Sequence, residues 1–253
     1  MELIRTRKNP EIHHFRQLAR SREYRRDTGL LAAEGEKLLQ EALASGAEVQ
    51  EILLREKGAA PDLPGVPVYR ATDEVFDFAS PSENSPGPLF SLRRKTVEPV
   101  GVPRRVLVLE NLQDPGNVGT ALRTAAAMAA DLVVLTGRCA DPWQPKTVRG
   151  AMGALFRQPM LELELPELIR RLEEWDLPLY GAALAEDARD IRAMDLDRCA
   201  VAIGNEGNGL SPEILDQCRE KLIIPMSPGS ESLNAAVAAS IVLWEMARKA
   251  ALV

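Results

Sequence analysis

The stretch VLVLENLQDPGNVGTALR, Val106 to Arg123, decides the reading of this chain. Four apolar residues, Val106–Leu109, read as a buried strand. A polar, glycine-containing turn follows, and a helical pattern takes over across Thr120–Ala130. The same succession recurs twice further on. Ala200–Ile203 leads into IGNEGNGLSPE (Ile203 to Glu213), and Leu222–Ile224 leads into IPMSPGSESLNAAVA (Ile224 to Ala238). Strands alternating with helices argue for a parallel sheet covered on both faces. In such open α/β sheets ligands bind at the carboxyl ends of the strands, where these three loops converge.

Outward from that core, the second half supplies further alternating pieces. They are an apolar strand at Leu132–Leu135, helical segments near Lys146–Leu155 and over Pro166–Trp175, and a strand at Leu179–Ala183. A helix over Pro212–Arg219 and a terminal helix from Leu233 to Ala250 complete the half. Ser211-Pro212-Glu213 has the chemistry of a helix start: a capping hydroxyl, proline at the first position and an acid in the first turn. The first half reads as a smaller α/β unit. Asn9–Gly46 is helical in pattern, strands follow at Val49–Leu54 and Val66–Tyr69, Thr72 caps a short helix, and Leu89–Leu92 is apolar. The expected organisation is residues 1–95, a linker at 96–104, and a second domain over 105–253.

The 253 residues carry a net charge of −6, yet residues 1–30 hold eight Lys/Arg against four acids. A basic surface of that kind suits phosphate backbones; a solvated helix face explains the same charges equally well. Three cysteines without CxxC spacing and two adjacent histidines leave no zinc pattern, so no metal is expected. No apolar run is long enough for a membrane span and no targeting core stands at the start, so a reduced, cytoplasmic protein is expected.

Neither the P-loop pattern nor GxGxxG follows the first strand, which sets aside a phosphate-loop nucleotide enzyme. The polar residues of the three loops are Asn111, Asp114, Asn117 and Arg123, then Asn205 and Glu206, then Glu231, Ser232 and Asn234. Without histidine or cysteine among them, a nucleophile–base triad is disfavoured. A carboxylate, an arginine, carboxamides and a hydroxyl suit binding a polar, phosphorylated substrate and orienting one hydroxyl. Taken singly, Asn117 and Asn234 could equally be helix caps.

The three runs together resemble the three motifs of the SpoU (TrmH) family of RNA ribose 2′-O-methyltransferases. N-x-x-D-P-G-N-x-G-T-x-x-R is met from Asn111 to Arg123, G-N-E-G-x-G-L from Gly204 to Leu210, and I-P-M with E-S-L-N-A-A-V-A from Ile224 to Ala238. The amino-terminal part resembles the family's RNA-binding domain, akin to a ribosomal protein fold, through Lys8–Pro10, the basic residues near Arg22–Arg26, and Glu34-Gly35. The resemblance implies a carboxyl-terminal domain with a deep trefoil knot. It also implies S-adenosylmethionine held around Gly204, Asn205, Glu206, Gly207, Ile224, Met226, Ser232 and Leu233. Catalytic roles fall to Arg123, Asn117, Glu206, Ser232 and Asn234, and RNA contacts to Arg7, Lys8, Arg22, Arg25, Arg26 and Arg123. The substrate implied is ribosomal RNA, with transfer RNA or a catalytically inactive RNA-binding member as alternatives. A homodimer through the carboxyl-terminal domain is implied as well. The chain departs from the family in two places. Ala151 stands where a serine is usual, and Ser85-Pro86-Gly87-Pro88 replaces a T-P-Q-G turn, so that loop is expected to differ in shape.

Overall fold

The structure, a computed structural model, describes residues 2–229 and 232–248. Glu231 and the expected helical residues 249 and 250 lie outside them. The chain divides into two compact units, one made of residues up to Lys95 together with Asp141–Phe156, the other of Thr96–Ala140 and the chain from Arg157 onward.

The first unit contains β1 (Leu3–Ile4), α1 (Pro10–Arg20), α2 (Arg22–Thr28), β2 (Leu30–Glu34), α3 (Glu36–Ala44), β3 (Val49–Arg55), β4 (Val68–Ala71), α4 (Asp73–Ala79) and β5 (Leu89–Arg93). Its mixed sheet has the order β1-β4-β3-β5-β2, with β5 antiparallel to both neighbours. Helix α1 starts where Asn9 accepts from the Glu11 amide and Pro10 takes the first position. Ile12, Phe15 and Leu18, at three- and four-residue spacing, bury one face against Phe76 and Leu53.

Strand β2 corrects the sequence reading, which takes residues 9–46 as helical. Gly29, at φ +67°, ends α2 in the left-handed conformation open to glycine, and residues 30–34 then pair along their whole length with β5. Leu-Leu-Ala-Ala-Glu has good helix propensity, but the pairing partner decides its state.

The second unit contains β6 (Arg105–Glu110), α5 (Pro115–Ala127) and β7 (Leu132–Thr136). The chain then contributes α6 (Pro145–Ala151) to the first unit, where it packs on β2. Back in the second unit follow β8 (Met160–Glu162), α7 (Leu165–Glu174), β9 (Leu179–Ala182), β10 (Arg189–Asp190), β11 (Cys199–Ile203), α8 (Pro212–Leu215), β12 (Glu220–Ile223) and α9 (Ala235–Ala247). All ladders in its seven-stranded sheet, ordered β10-β12-β9-β11-β6-β7-β8, are parallel, as the strand–helix alternation requires. Helix α5 begins at Pro115, five residues before the expected start, because Asp114 caps it by accepting from the Asn117 amide. Central strands β6 and β11 are almost wholly buried. Helix α9 returns from the β12 side to pack on α5, β6 and β11.

Candidate active site

The loop after β11 folds back on itself. Asn205 and Gly209 exchange two backbone hydrogen bonds of 2.9 Å, while the Asn205 Oδ1 accepts from the amides of Gly207 (2.9 Å) and Asn208 (3.1 Å). Gly204 lies against the closing end of this loop. A Cβ there would overlap the Gly209 carbonyl and the Leu210 nitrogen, so the close approach of two backbone segments demands glycine.

The end of β6 holds the loop at both ends. Asn205 Nδ2 donates to the Asn111 carbonyl at 3.0 Å, and Ser211 donates to the buried Glu110 carboxylate from its amide (2.8 Å) and its hydroxyl (2.5 Å). The same Ser211 hydroxyl accepts from the Ile214 amide and caps α8. Glu110→Ala would leave two Ser211 donors without their acceptor, a loss of about 1–3 kcal/mol, and loosen the loop. The expected outcome is about a tenfold weaker affinity for S-adenosylhomocysteine by calorimetry, with Asn205 still holding the other end. Unchanged affinity would reject this role for Glu110.

A cavity of about 530 Å³ opens between this loop, the end of β9 and the β12–α9 connection. All eight residues that the resemblance assigns to the cofactor line it: Gly204, Asn205, Glu206, Gly207, Ile224, Met226, Ser232 and Leu233. Sequence reading misses the β9 side, Ala182–Leu184. Leu184 is 60% exposed at the cavity wall, a large apolar side chain directly after a strand end.

Three carboxylate and carboxamide groups, one from each loop, meet beside this cavity. Asn234 Oδ1 accepts from the amides of Ala236 and Val237 at the start of α9, so its Nδ2 must point away from the helix. That nitrogen donates to Asn117 Oδ1 at 3.1 Å, and Asn117 Nδ2 in turn donates to Glu206 Oε1 at 2.8 Å. The helix cap therefore sets the polarity of the whole chain of bonds, Asn234 to Asn117 to Glu206. Asn234 is both a cap and a member of the cluster; Asn117 is not a cap. Glu206 lines the first cavity, while Asn117 and Asn234 line a second of about 370 Å³ with Thr120, Val237, Ile241 and Trp244. Ser232 lines the first cavity without joining the relay, and Arg123 is exposed on α5 and lines neither.

The basic residues of the first unit separate into two kinds. Arg7, Lys8, Arg22 and Arg26 are exposed. Arg25, expected on the RNA surface, is instead buried: its Nε and Nη2 bond Asp141 Oδ2 at 3.0 and 2.6 Å, and its Nη1 bonds the Leu18 carbonyl at 2.7 Å. The Ser85–Pro88 turn is mostly buried as well, with Ser85 Oγ accepting from the Gly87 amide. Ala151 is fully buried at the end of α6. Among the described residues no cluster suits a metal ion, and no helix is long and apolar enough to cross a membrane.

An all-parallel sheet with glycine-rich loops at its strand ends, a ligand-sized cavity and a carboxamide–carboxylate relay defines an α/β protein with a ligand site at the strand ends. Residues 104–244 match the SpoU rRNA Methylase family, and residues 9–89 match the MRM3-like substrate binding domain. The chain belongs to the SpoU rRNA methylase family. It is 33% identical to the 23S rRNA (guanosine(2553)-2′-O)-methyltransferase RlmP of Bacillus subtilis, over 97% of this chain and 99% of that one. It superposes on an AdoMet-bound rRNA methyltransferase from Sinorhizobium meliloti with a TM-score of 0.85 and 26% identity, covering 98% and 97% of the two chains. The SpoU methyltransferase AviRb from Streptomyces viridochromogenes, in complex with AdoMet, also gives 0.85, at 25% identity over 95% and 98%.

Proposed function

We propose that this chain methylates a ribose 2′-hydroxyl of ribosomal RNA with S-adenosylmethionine as donor. The observation that carries the reading is the cavity at the β11 loop, into which all eight cofactor residues of the motif fall. Its size is that of a site for a ligand of nucleoside dimensions. Its composition also fits: Gly204 to Gly209 offer close backbone approach, Leu184, Ile224, Met226 and Leu233 offer apolar surface, and Glu206 offers an acceptor. When bound there, S-adenosylmethionine supplies an electrophilic methyl group.

The remaining tasks belong to the chain. A ribose hydroxyl is a poor nucleophile at neutral pH, so it must be oriented and relieved of its proton. With Glu206 Oε1 occupied by Asn117, its Oε2 carries, among the described residues, only a 3.5 Å contact from Asn205 and is the open acceptor of the relay. Ser232 supplies a hydroxyl at the same cavity. Arg123, exposed on α5, clamps the phosphate next to the reacting ribose and stabilises the developing oxyanion. Arg123→Lys keeps the charge but loses the fork, and kcat/KM should fall on the order of 10²-fold. Near-wild-type turnover by that variant would remove Arg123 from this role.

Ribosomal RNA is favoured over transfer RNA as substrate by the match to a 23S rRNA methyltransferase over 97% of this chain, the amino-terminal unit included. The fold of the second unit is a trefoil knot in this reading, supported by α9 returning from the β12 side to the middle of the sheet. The exposed Val237 and Trp244 on α9 support a homodimer through this unit, and the free cysteines suit the cytoplasm. The test is incubation of the protein with labelled cofactor and unmodified ribosomal and transfer RNA, followed by mapping of ribose methylation. Cofactor binding without transfer to either RNA would overturn the enzyme reading.

A further inference from the structure

We propose that Arg7 and Arg16, which lie over the ring of Phe78, together with Arg20 one turn further along α1, form the site on the first unit that grips the phosphate backbone of the RNA substrate. The proposal rests on the ribosomal RNA reading above and deepens it.

The site is built by the junction of α1 with α4. Arg16 lies over the Phe78 ring at 3.8 Å from its centre and donates from Nη1 to the Phe78 carbonyl at 2.7 Å. Two attachments thus hold one guanidinium over the ring, a contact for which arginine is better suited than lysine. Arg7, just before α1, lies over the same ring at 5.1 Å, and the exposed His13 meets it edge-on at 6.3 Å. On α1, Arg20 follows Arg16 by four residues and so shares its face.

Like charges at that spacing destabilise a helix, and the crowding is felt. Burial first, then the charges of Arg20 and Arg7, hold the Arg16 guanidinium below its ordinary pKa. Arg7 has an acid partner in Glu74, an exposed pair that exchanges readily with solvent and ligand. Among the described residues neither Arg16 nor Arg20 has a carboxylate partner. A protein with a net charge of −6 that leaves two crowded guanidiniums uncompensated presents a site for a polyanion. Anchoring one of the cations on an aromatic ring reduces the side-chain entropy lost on binding. The nearby Lys8 extends the same sign of charge.

The experiment compares wild-type protein with Arg20→Ala, Arg16→Ala/Arg20→Ala and the charge-matched control Lys37→Ala/Lys57→Ala. The probe is unmodified ribosomal RNA transcribed in vitro, titrated at several salt concentrations. The Arg20 side chain is exposed and holds no hydrogen bond among the described residues, so the fold of Arg20→Ala is secure. The double variant should bind at least about tenfold more weakly, with the salt slope reduced by about two, one for each phosphate no longer neutralised. KM for RNA should rise by the same factor, while kcat at saturating RNA and affinity for S-adenosylhomocysteine stay as in wild type. The lysine control should stay within about twofold. Equal losses in the lysine control, an unchanged salt slope, or binding of anionic phosphatidylserine vesicles in place of RNA would each overturn the proposal. If wild-type protein methylates no RNA, the failure lies in the functional reading; if it does and the arginine variants match it, the failure lies here.

Discussion

Gly204→Ala is expected to weaken cofactor binding while leaving the protein folded. The added Cβ would overlap the carbonyl of Gly209 and the nitrogen of Leu210, both backbone atoms, so no rotamer change relieves it. The 204–210 loop must open, and Glu206 then moves away from Asn117. Misplacing a catalytic constellation by about 1 Å costs on the order of 10²-fold in rate. Methyl transfer should fall by at least that factor and affinity for S-adenosylhomocysteine should fall by at least about tenfold, with the far-ultraviolet circular dichroism unchanged. Binding within threefold of wild type would reject the close-packed loop. Gly207→Ala is the informative companion, because among the described residues a Cβ there meets only Asn205 Oδ1 at 3.5 Å. Any loss of affinity in that variant reports on the ligand's approach, since the loop's own packing tolerates the methyl.

The largest effect on stability should come from Asp141→Ala. Arg25 and Asp141 form a two-contact ion pair whose side chains are 4% and 8% exposed. Asp141 Oδ1 also accepts from the Trp143 amide, and its carbonyl accepts from the Thr147 hydroxyl. Removing one partner leaves a buried guanidinium without its counter-charge, which destabilises by about 3–5 kcal/mol. Denaturant unfolding of Asp141→Ala and Arg25→Ala should show losses of that size. Arg25→Met/Asp141→Leu should recover most of it, because apolar replacement of a buried pair is often neutral. A loss below about 1 kcal/mol in the single variants would show the pair to be solvated instead.

Much of the second unit is legible in the sequence because its signals are local. The β6, β7 and β11 strands are short apolar runs, and the ligand loops announce themselves by glycine and asparagine directly after them. Ser211-Pro212-Glu213 reads as a helix start and is one. The equivalent pair Asp114-Pro115 is masked by the stronger apolar pattern from Thr120, although its cap chemistry stands in the sequence. Other features are set only by tertiary partners. Strand β2 needs β5, and β8 and β10, at three and two residues, have no pattern of their own. Arg25 looks like its surface neighbours until Asp141, 116 residues away, is seen to bury it. The eight cofactor positions are carried by motif; the direction of the Asn234–Asn117–Glu206 relay needs the α9 cap geometry.

The loan of residues 141–156 to the first unit delays that unit's completion during synthesis. An amino-terminal domain ordinarily completes itself while the ribosome is still making the next one. Here Arg25 leaves the ribosome with no counter-ion until Asp141 follows it, a delay of roughly 6–23 s for 116 residues at about 5–20 residues per second. The unit that carries the basic α1 face is therefore completed only after β6, α5 and β7 of its neighbour have been made. For a chain of the SpoU rRNA methylase family, the basic surface therefore acquires its full support after the first strand-end loop of the second unit has been made and before the other two.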